Sequence, residues 1–308
     1  MSKGEPPPSD SRSLRRHGSG WPGAGALLLL APFFAFFLIF WVVPLLGGIQ
    51  LSLFSNEPYG PTTFVGLEHY RNLLQDGRYA KALRNTLVYS ALSILLIVPF
   101  ALLLAHLLRA SWRRLQAPLG FLLLLPGLTP PAVLALLFLL VFHGREGLLN
   151  QLFVVPLSLE PINWIRDPKF ILPALVLQSV WRWAGFICFF LLSGMEAIPR
   201  ALYEAARLVT DSRWHAFRFI TLPMLRHVVL FCAVYLLVDA FSLFSGAYVL
   251  LGRSGGTDDA GLLLVSYTYQ SAFTFGKFGT AAAISVSVAP LLIVALWICF
   301  AKGRSSWA

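Results

Sequence analysis

Ile198-Pro199-Arg200-Ala201-Leu202-Tyr203-Glu204-Ala205-Ala206, closed by Phe217-Arg218-Phe219-Ile220-Thr221-Leu222-Pro223, is a polar island between two long apolar runs. Pro199 suits a first helical turn, and Glu204, Ala205 and Ala206 are strong helix formers. Leu202, Ala206 and Val209 share one helical face, with Ala205 and Leu208 beside it. A second helical stretch, Trp214–Ile220, leads to Leu222-Pro223 and the next apolar run. A short helix lying along a membrane, with small residues outward and a single carboxylate on Glu204, can enter a groove on a partner protein. An ordinary interfacial amphipathic loop has the same pattern. Chemistry alone leaves both open.

The runs on either side set the fold class. Of 308 residues 57% are apolar and only 12% charged, with a mean hydropathy of +0.72. A soluble domain carries about 25% charge, so the solvent for most of this chain is lipid. A bilayer core of about 30 Å needs about 20 apolar residues per helix. Six runs meet that length: Ala24–Ile49, Thr86–Leu108, Leu115–Phe142, Phe170–Leu192, Arg226–Leu251 and Ala281–Ala301. In lipid every backbone amide must be satisfied within its own segment, which predicts helices. A β-barrel would show short alternating segments instead. The expected fold is an all-α integral membrane protein with about six transmembrane helices.

Six spans put both termini on one side. That side collects fourteen Lys and Arg, including Arg109, Arg114, Arg200, Arg207 and Arg218, against nine on the other. The positive-inside rule then places the termini and the Glu204 loop in the cytoplasm. The formal net charge of +10 is read as this topology signal against anionic lipid, not as a nucleic-acid surface; no basic stripe with interleaved aromatics lies outside the spans. The division is a disordered cytoplasmic tail over 1–23, a transmembrane domain over 24–301 with a cytoplasmic loop at 194–225, and a C-terminal tail over 302–308.

Between the second span and the first lies Phe64-Val65-Gly66-Leu67-Glu68-His69-Tyr70, whose apolar spacing predicts a short surface helix. The third span holds Pro126, Pro130 and Pro131. They mark either a simple kink or a break beside a water-filled path. Cys188, Cys232 and Cys299 all fall inside spans and have neither disulfide nor metal spacing. Gly252-Arg253-Ser254-Gly255-Gly256-Thr257 reads as a turn, and Gly276-Lys277-Phe278 lacks the Ser or Thr of a P-loop. Any ATP must bind on another chain.

The polar island resembles the EAA loop of ABC-importer permeases, the membrane subunits of binding-protein-dependent transporters. Glu204-Ala205-Ala206, then Trp214 and Phe217, then Ile220-Thr221-Leu222-Pro223 match that loop, while Val209-Thr210-Asp211 stands where Asp-Gly-Ala is usual. Phe64–Thr86, Asn163–Pro168, Tyr248–Gly252 and Phe278–Ala283 are similar to the carbohydrate-type, maltose and glycerol-phosphate permeases. The resemblance covers roughly 24–301. It implies a type I ABC importer permease fold in a bacterial inner membrane. It also implies a carbohydrate or polyol cargo, a second permease (a heterodimer), two cytoplasmic ATPases that hold ATP and Mg, and an extracytoplasmic solute-binding protein. Glu204, Ala205, Ala206, Thr210, Phe217, Leu222 and Pro223 would be the ATPase-coupling residues. This chain would bind no cofactor and hold no catalytic residue.

Two charges lie within spans, Arg182 and Asp239. Such residues normally face protein or water and mark function. Trp181, Trp183 and Phe241 can stack on sugar faces, Gln178 can bond hydroxyls, and Tyr235 lies on the same candidate path. An Arg182–Asp239 ion pair locking two spans, or a shallow Arg182 that snorkels, are the other readings. An ion-coupled secondary transporter would favour more acidic residues within the spans, and only Asp239 qualifies. A membrane-embedded enzyme would need a cluster of His, Asp or Arg near one interface.

Overall fold

A computed structural model of the chain describes residues 24–55, 61–208 and 212–304. The tail read over 1–23 and the Val209-Thr210-Asp211 centre, with Thr210, lie outside the described residues. The chain divides into two units at Gly47 and Gly48. In the first, α1 (Ala24–Phe37) passes through a π-helical turn, Leu38–Val42, into α2 (Val43–Leu51). Its large apolar side chains, such as Leu29 and Trp41, are exposed. That is the surface a helix needs when lipid is its solvent.

The second unit opens with a small antiparallel hairpin, β1 (Phe54–Ser55) against β2 (Thr63–Phe64), in which Phe54 faces Phe64. The expected surface helix follows as α3 (Glu68–Gln75). Next comes α4 (Gly77–Ala110), 34 residues long. Its start is set by Asp76, whose carboxylate accepts the Arg78 amide at 2.8 Å, an N-cap. α5 (Arg113–Leu128) and α6 (Pro131–Val141) come next, then α7 (Pro168–Glu196). Asp167 caps α7 by accepting the Lys169 amide at 3.0 Å, and Pro168 occupies the first turn. The polar island forms α8 (Arg200–Arg207), α9 (Arg213–Ala216) and a π turn, Phe217–Thr221. The rest is α10 (Leu222–Phe241), α11 (Ser245–Leu251), α12 (Leu264–Tyr269) and α13 (Phe278–Arg304).

Among the described residues five helical runs are long and apolar enough to cross a membrane, and the bent α5–α6 pair makes six. Three of the expected boundaries move. The second span starts at Gly77, not Thr86, because its first two turns are polar and read from sequence as loop. The fifth runs over Trp214–Phe241, and its expected remainder is the separate helix α11. The third bends by 98° between α5 and α6. Amides that would close onto the Pro126 and Gly127 carbonyls belong to Pro130 and Pro131, which have none, so the helix must stop here.

α4 and α7 form the central pair, and where they meet their buried side chains fall into two stacked cores; the start of α4 enters a third, with Phe241 and Tyr267. Towards the α8 end, Ile97–Leu108 of α4 meets Ile187, Leu191 and Met195 of α7 and Leu225, Cys232 and Leu236 of α10. Towards the α3 end, Tyr89 of α4 and Ala174–Val176 of α7 meet Leu134 and Phe138 of α6 and Ala247 and Leu250 of α11. Thus α5 and α10 serve one tier and their continuations, α6 and α11, the other. α5 approaches α7 through glycine: a Cβ on Gly185 would overlap the Leu123 carbonyl, and one on Gly120 would meet the Phe189 ring at 2.9 Å. Small residues of this kind let membrane helices pack backbone to backbone.

The turn after α11 is left-handed at Gly252, Gly255 and Gly256, and also at Asp258 and Asp259 with φ of 53° and 52°. Such angles are costly without glycine, and the surroundings hold them. Arg78 donates to both Asp259 oxygens at 2.8 and 2.7 Å and to Gln270 Oε1 at 3.1 Å. Asn85 Nδ2 donates to the Asp259 and Leu262 carbonyls at 3.0 and 3.1 Å, and Lys81 donates to the Asp258 carbonyl. The Tyr267 hydroxyl donates to Asp76. Burial first, and then that bond, hold it above the ordinary tyrosine range, so it remains a donor. Arg78→Ala is expected to destabilise the purified chain by about 1–3 kcal/mol, read as a lower melting temperature in detergent. Asp259→Asn, which tolerates the left-handed angle, should cost a similar amount. The double variant should be little worse than either; fully additive losses would refute a shared latch.

Candidate translocation and coupling sites

Arg182 sits at the midpoint of α7, 14 residues from either Pro168 or Glu196. That is about 21 Å from each end, too far for its side chain to snorkel. Both helix breaks lie level with it. Gly127, two residues before the α5–α6 break, lies so close that a Cβ there would be 3.3 Å from the Arg182 carbonyl. On the other side Trp183 Nε1 donates to Asp239 Oδ2 at 2.7 Å, two residues before α10 ends. Beyond Phe241, Ser242 turns its hydroxyl back to the Val238 carbonyl at 2.9 Å, and such bonds compete with the helix. The break therefore falls at the seam between the two cores. Irregular backbone at membrane depth is tolerated where it is buried in protein or lines a cavity, and discontinuous helices are where transporters build midplane sites.

Around this level the Arg182 guanidinium lies over the Trp183 ring, 4.6 Å from its centroid. Trp183 meets Tyr235 edge-on at 5.2 Å and Phe186 at 5.6 Å. Arg182 and Asp239 form no ion pair among the described residues: the indole engages both, through its face and its N–H. Of the readings left open by the sequence, direct contact of the two charges is not found; they interact through space. Of the other residues singled out from sequence, Tyr235 belongs to this group. Gln178 is buried one turn away, against Gly246 of α11. Trp181 is 61% exposed on the opposite face of α7, and Phe241 is buried in a third core with Tyr79, Leu262 and Tyr267. Sequence reasoning missed Tyr89 and Ser179, buried and hydrogen-bonded to one another between α4 and α7. A polar stripe in α4 (Asn85, Thr86, Tyr89, Ser90, Ser93) at helical spacing was the available signal.

The second site is α8. Ile198 is buried in the core at its foot, and Tyr203 packs beside it. The Tyr203 hydroxyl lies 2.9 Å from Thr221 Oγ1, and the Arg109 guanidinium lies 5.8 Å from the Tyr203 ring centroid. With one face so anchored, α8 turns Glu204, Ala205 and Leu208 to the surface, Leu208 being 89% exposed; Ala206 is half-buried. Phe217, also half-buried, stacks on Trp214 at 5.5 Å. Leu222 and Pro223 open α10 and are exposed.

Residues 81–301 match the family described as the inner membrane component of binding-protein-dependent transport systems. This chain is a member of that family. The permease is 30% identical over 282 residues to the arabinooligosaccharides transport system permease protein AraP of Bacillus subtilis, covering 90% of this chain and 89% of that one. It is 28% identical to the lactose transport system permease protein LacF of Rhizobium radiobacter, over 95% and 97% of the two chains. Its fold superposes on a chain of a bacterial ABC transporter involved in import of the acidic polysaccharide alginate with a TM-score of 0.78. That match has 23% identity and covers 91% and 94% of the chains. The permease is thus a multi-pass membrane protein with the type I importer fold.

Proposed function

We propose that this chain is the permease subunit of an ATP-driven importer that moves a carbohydrate or related polyol across a bacterial cytoplasmic membrane. The observation that carries the cargo is the run of sugar-transport relatives aligned over nearly the whole chain. A midplane break lined by indole, phenol, guanidinium and carboxylate suits it, since aromatic faces and paired donors and acceptors are what a polyol binds. In this reading α8 is the handle within the 194–225 coupling loop, lying with both termini on the cytoplasmic side. Two ATPases carry ATP and Mg and grip α8, a second and different permease completes the path, and a binding protein delivers the solute outside. No bond of the cargo changes here. ATPase closure moves α8, and through Tyr203 and Ile198 the tier packed on it. The other tier follows only as far as the two states differ in free energy.

The test is uptake of a labelled oligosaccharide by proteoliposomes holding this chain with its ATPases, second permease and binding protein. Accumulation should require ATP and the binding protein. Uphill uptake by the permease alone, driven by a proton or sodium gradient, would falsify the assignment.

A further inference from the structure

We infer that Arg182 makes this path selective for a carbohydrate carrying an anionic group: a carboxylate, sulfonate or phosphate. The inference rests on the carbohydrate reading above and narrows it. Arg182 makes no hydrogen bond to a described residue, and its Nε is fully buried without a partner. The Trp183 ring beneath it offers attraction through its face and no acceptor. Asp239, the other charge within the spans, has one carboxylate oxygen already taken by the Trp183 N–H. A guanidinium without a hydrogen-bonding partner at mid-membrane is expensive; Asp239 acts on it only through space, with no ion-pair contact.

The rest of the site is rich in the opposite chemistry. The Gly127 carbonyl faces a proline where its helical donor should be, and the Asp239 carboxylate adds a further acceptor. These acceptors suit the hydroxyls of any sugar. Arg182 is the one cation among the described residues at this level, and its fixed fork of donors, free of hydrogen bonds, fits a carboxylate or phosphate at two points. A neutral sugar would meet that fork as a dipole; an acidic sugar brings the bidentate, charge-assisted contact that Asp239, acting only through space, does not make.

The test uses the importer complex in nanodiscs, this chain with its second permease and ATPases, with binding followed by calorimetry and by tryptophan fluorescence, since drawing Arg182 from Trp183 alters that indole's surroundings. The probes are trigalacturonate, maltotriose and an acidic dipeptide. Trigalacturonate is expected to bind at least about tenfold more tightly than maltotriose. Arg182→Gln should abolish that preference, Arg182→Lys should keep part of it, and Trp183→Phe should remove the fluorescence change. Each variant is compared with the parent for melting temperature, and Arg182→Lys stands in should Arg182→Gln fail to fold. Equal binding of the two sugars, a preference that survives both Arg182 substitutions, or no binding of trigalacturonate at millimolar concentration overturns the inference. Maltotriose binding in those cases leaves the carbohydrate reading intact. Binding of the dipeptide with neither sugar overturns that reading as well.

Discussion

Gly185→Ala is expected to cost the bundle about 3 kcal/mol or more and to leave most of the chain unfolded or aggregated on extraction. The added methyl would meet the Leu123 carbonyl, a backbone atom with no rotamer by which to give way. Relief would require α5 to move off α7, opening the core on the α8 side. Gly48→Ala is the control. Gly48 is also helical, but a Cβ there meets nothing within 4 Å, and alanine is favoured over glycine in a helix by about 1 kcal/mol. Monodispersity and melting temperature in detergent should separate the two sharply. A Gly185→Ala protein as stable as its parent would mean that α5 and α7 do not cross where described.

Glu204→Arg is expected to lower ATP-driven uptake about a hundredfold while leaving the melting temperature of the isolated chain unchanged. Glu204 is exposed and makes no hydrogen bond or ion pair to a described residue, so folding does not depend on it. If it meets a basic residue of an ATPase, reversal sets like charges together, at a cost of several kcal/mol, and each 1.4 kcal/mol is tenfold. Rescue by a reversed charge on the ATPase would place the contact. Unimpaired uptake by Glu204→Arg would remove α8 from the coupling role.

Some of this architecture can be read in the residues and some cannot, for physical reasons. Helices α3 and α8 follow from local signals: apolar spacing around Tyr70, and Pro199 ahead of Glu204-Ala205-Ala206. Arg182 stands out because charge in an apolar run is costly wherever the run packs. The division of the fifth span is different. Hydropathy averages over Arg226–Leu251 and is blind to whether the backbone continues, and Ser242 and Gly246 are common in membrane helices. The start of α4 was hidden because Arg78, Lys81 and Arg84 look like loop until Asp259 is seen to answer the first of them. Whether Arg182 and Asp239 touch was open in sequence because both readings need the same two residues. Trp183 decides it by engaging each.

Two helices, α4 and α7, span both tiers without interruption, and α4 is the longer. At 34 residues α4 measures about 51 Å against a hydrocarbon thickness of about 30 Å, so it overhangs the bilayer by about 20 Å. Its foot, at Arg109, rests on Tyr203 of α8, and its head, at Arg78, is clasped by the left-handed aspartate. Pro99, which leaves the carbonyl four residues earlier without an amide, is the single joint in that shaft. If α8 is the coupling handle, its displacement would be delivered along a pushrod to the far face of the membrane.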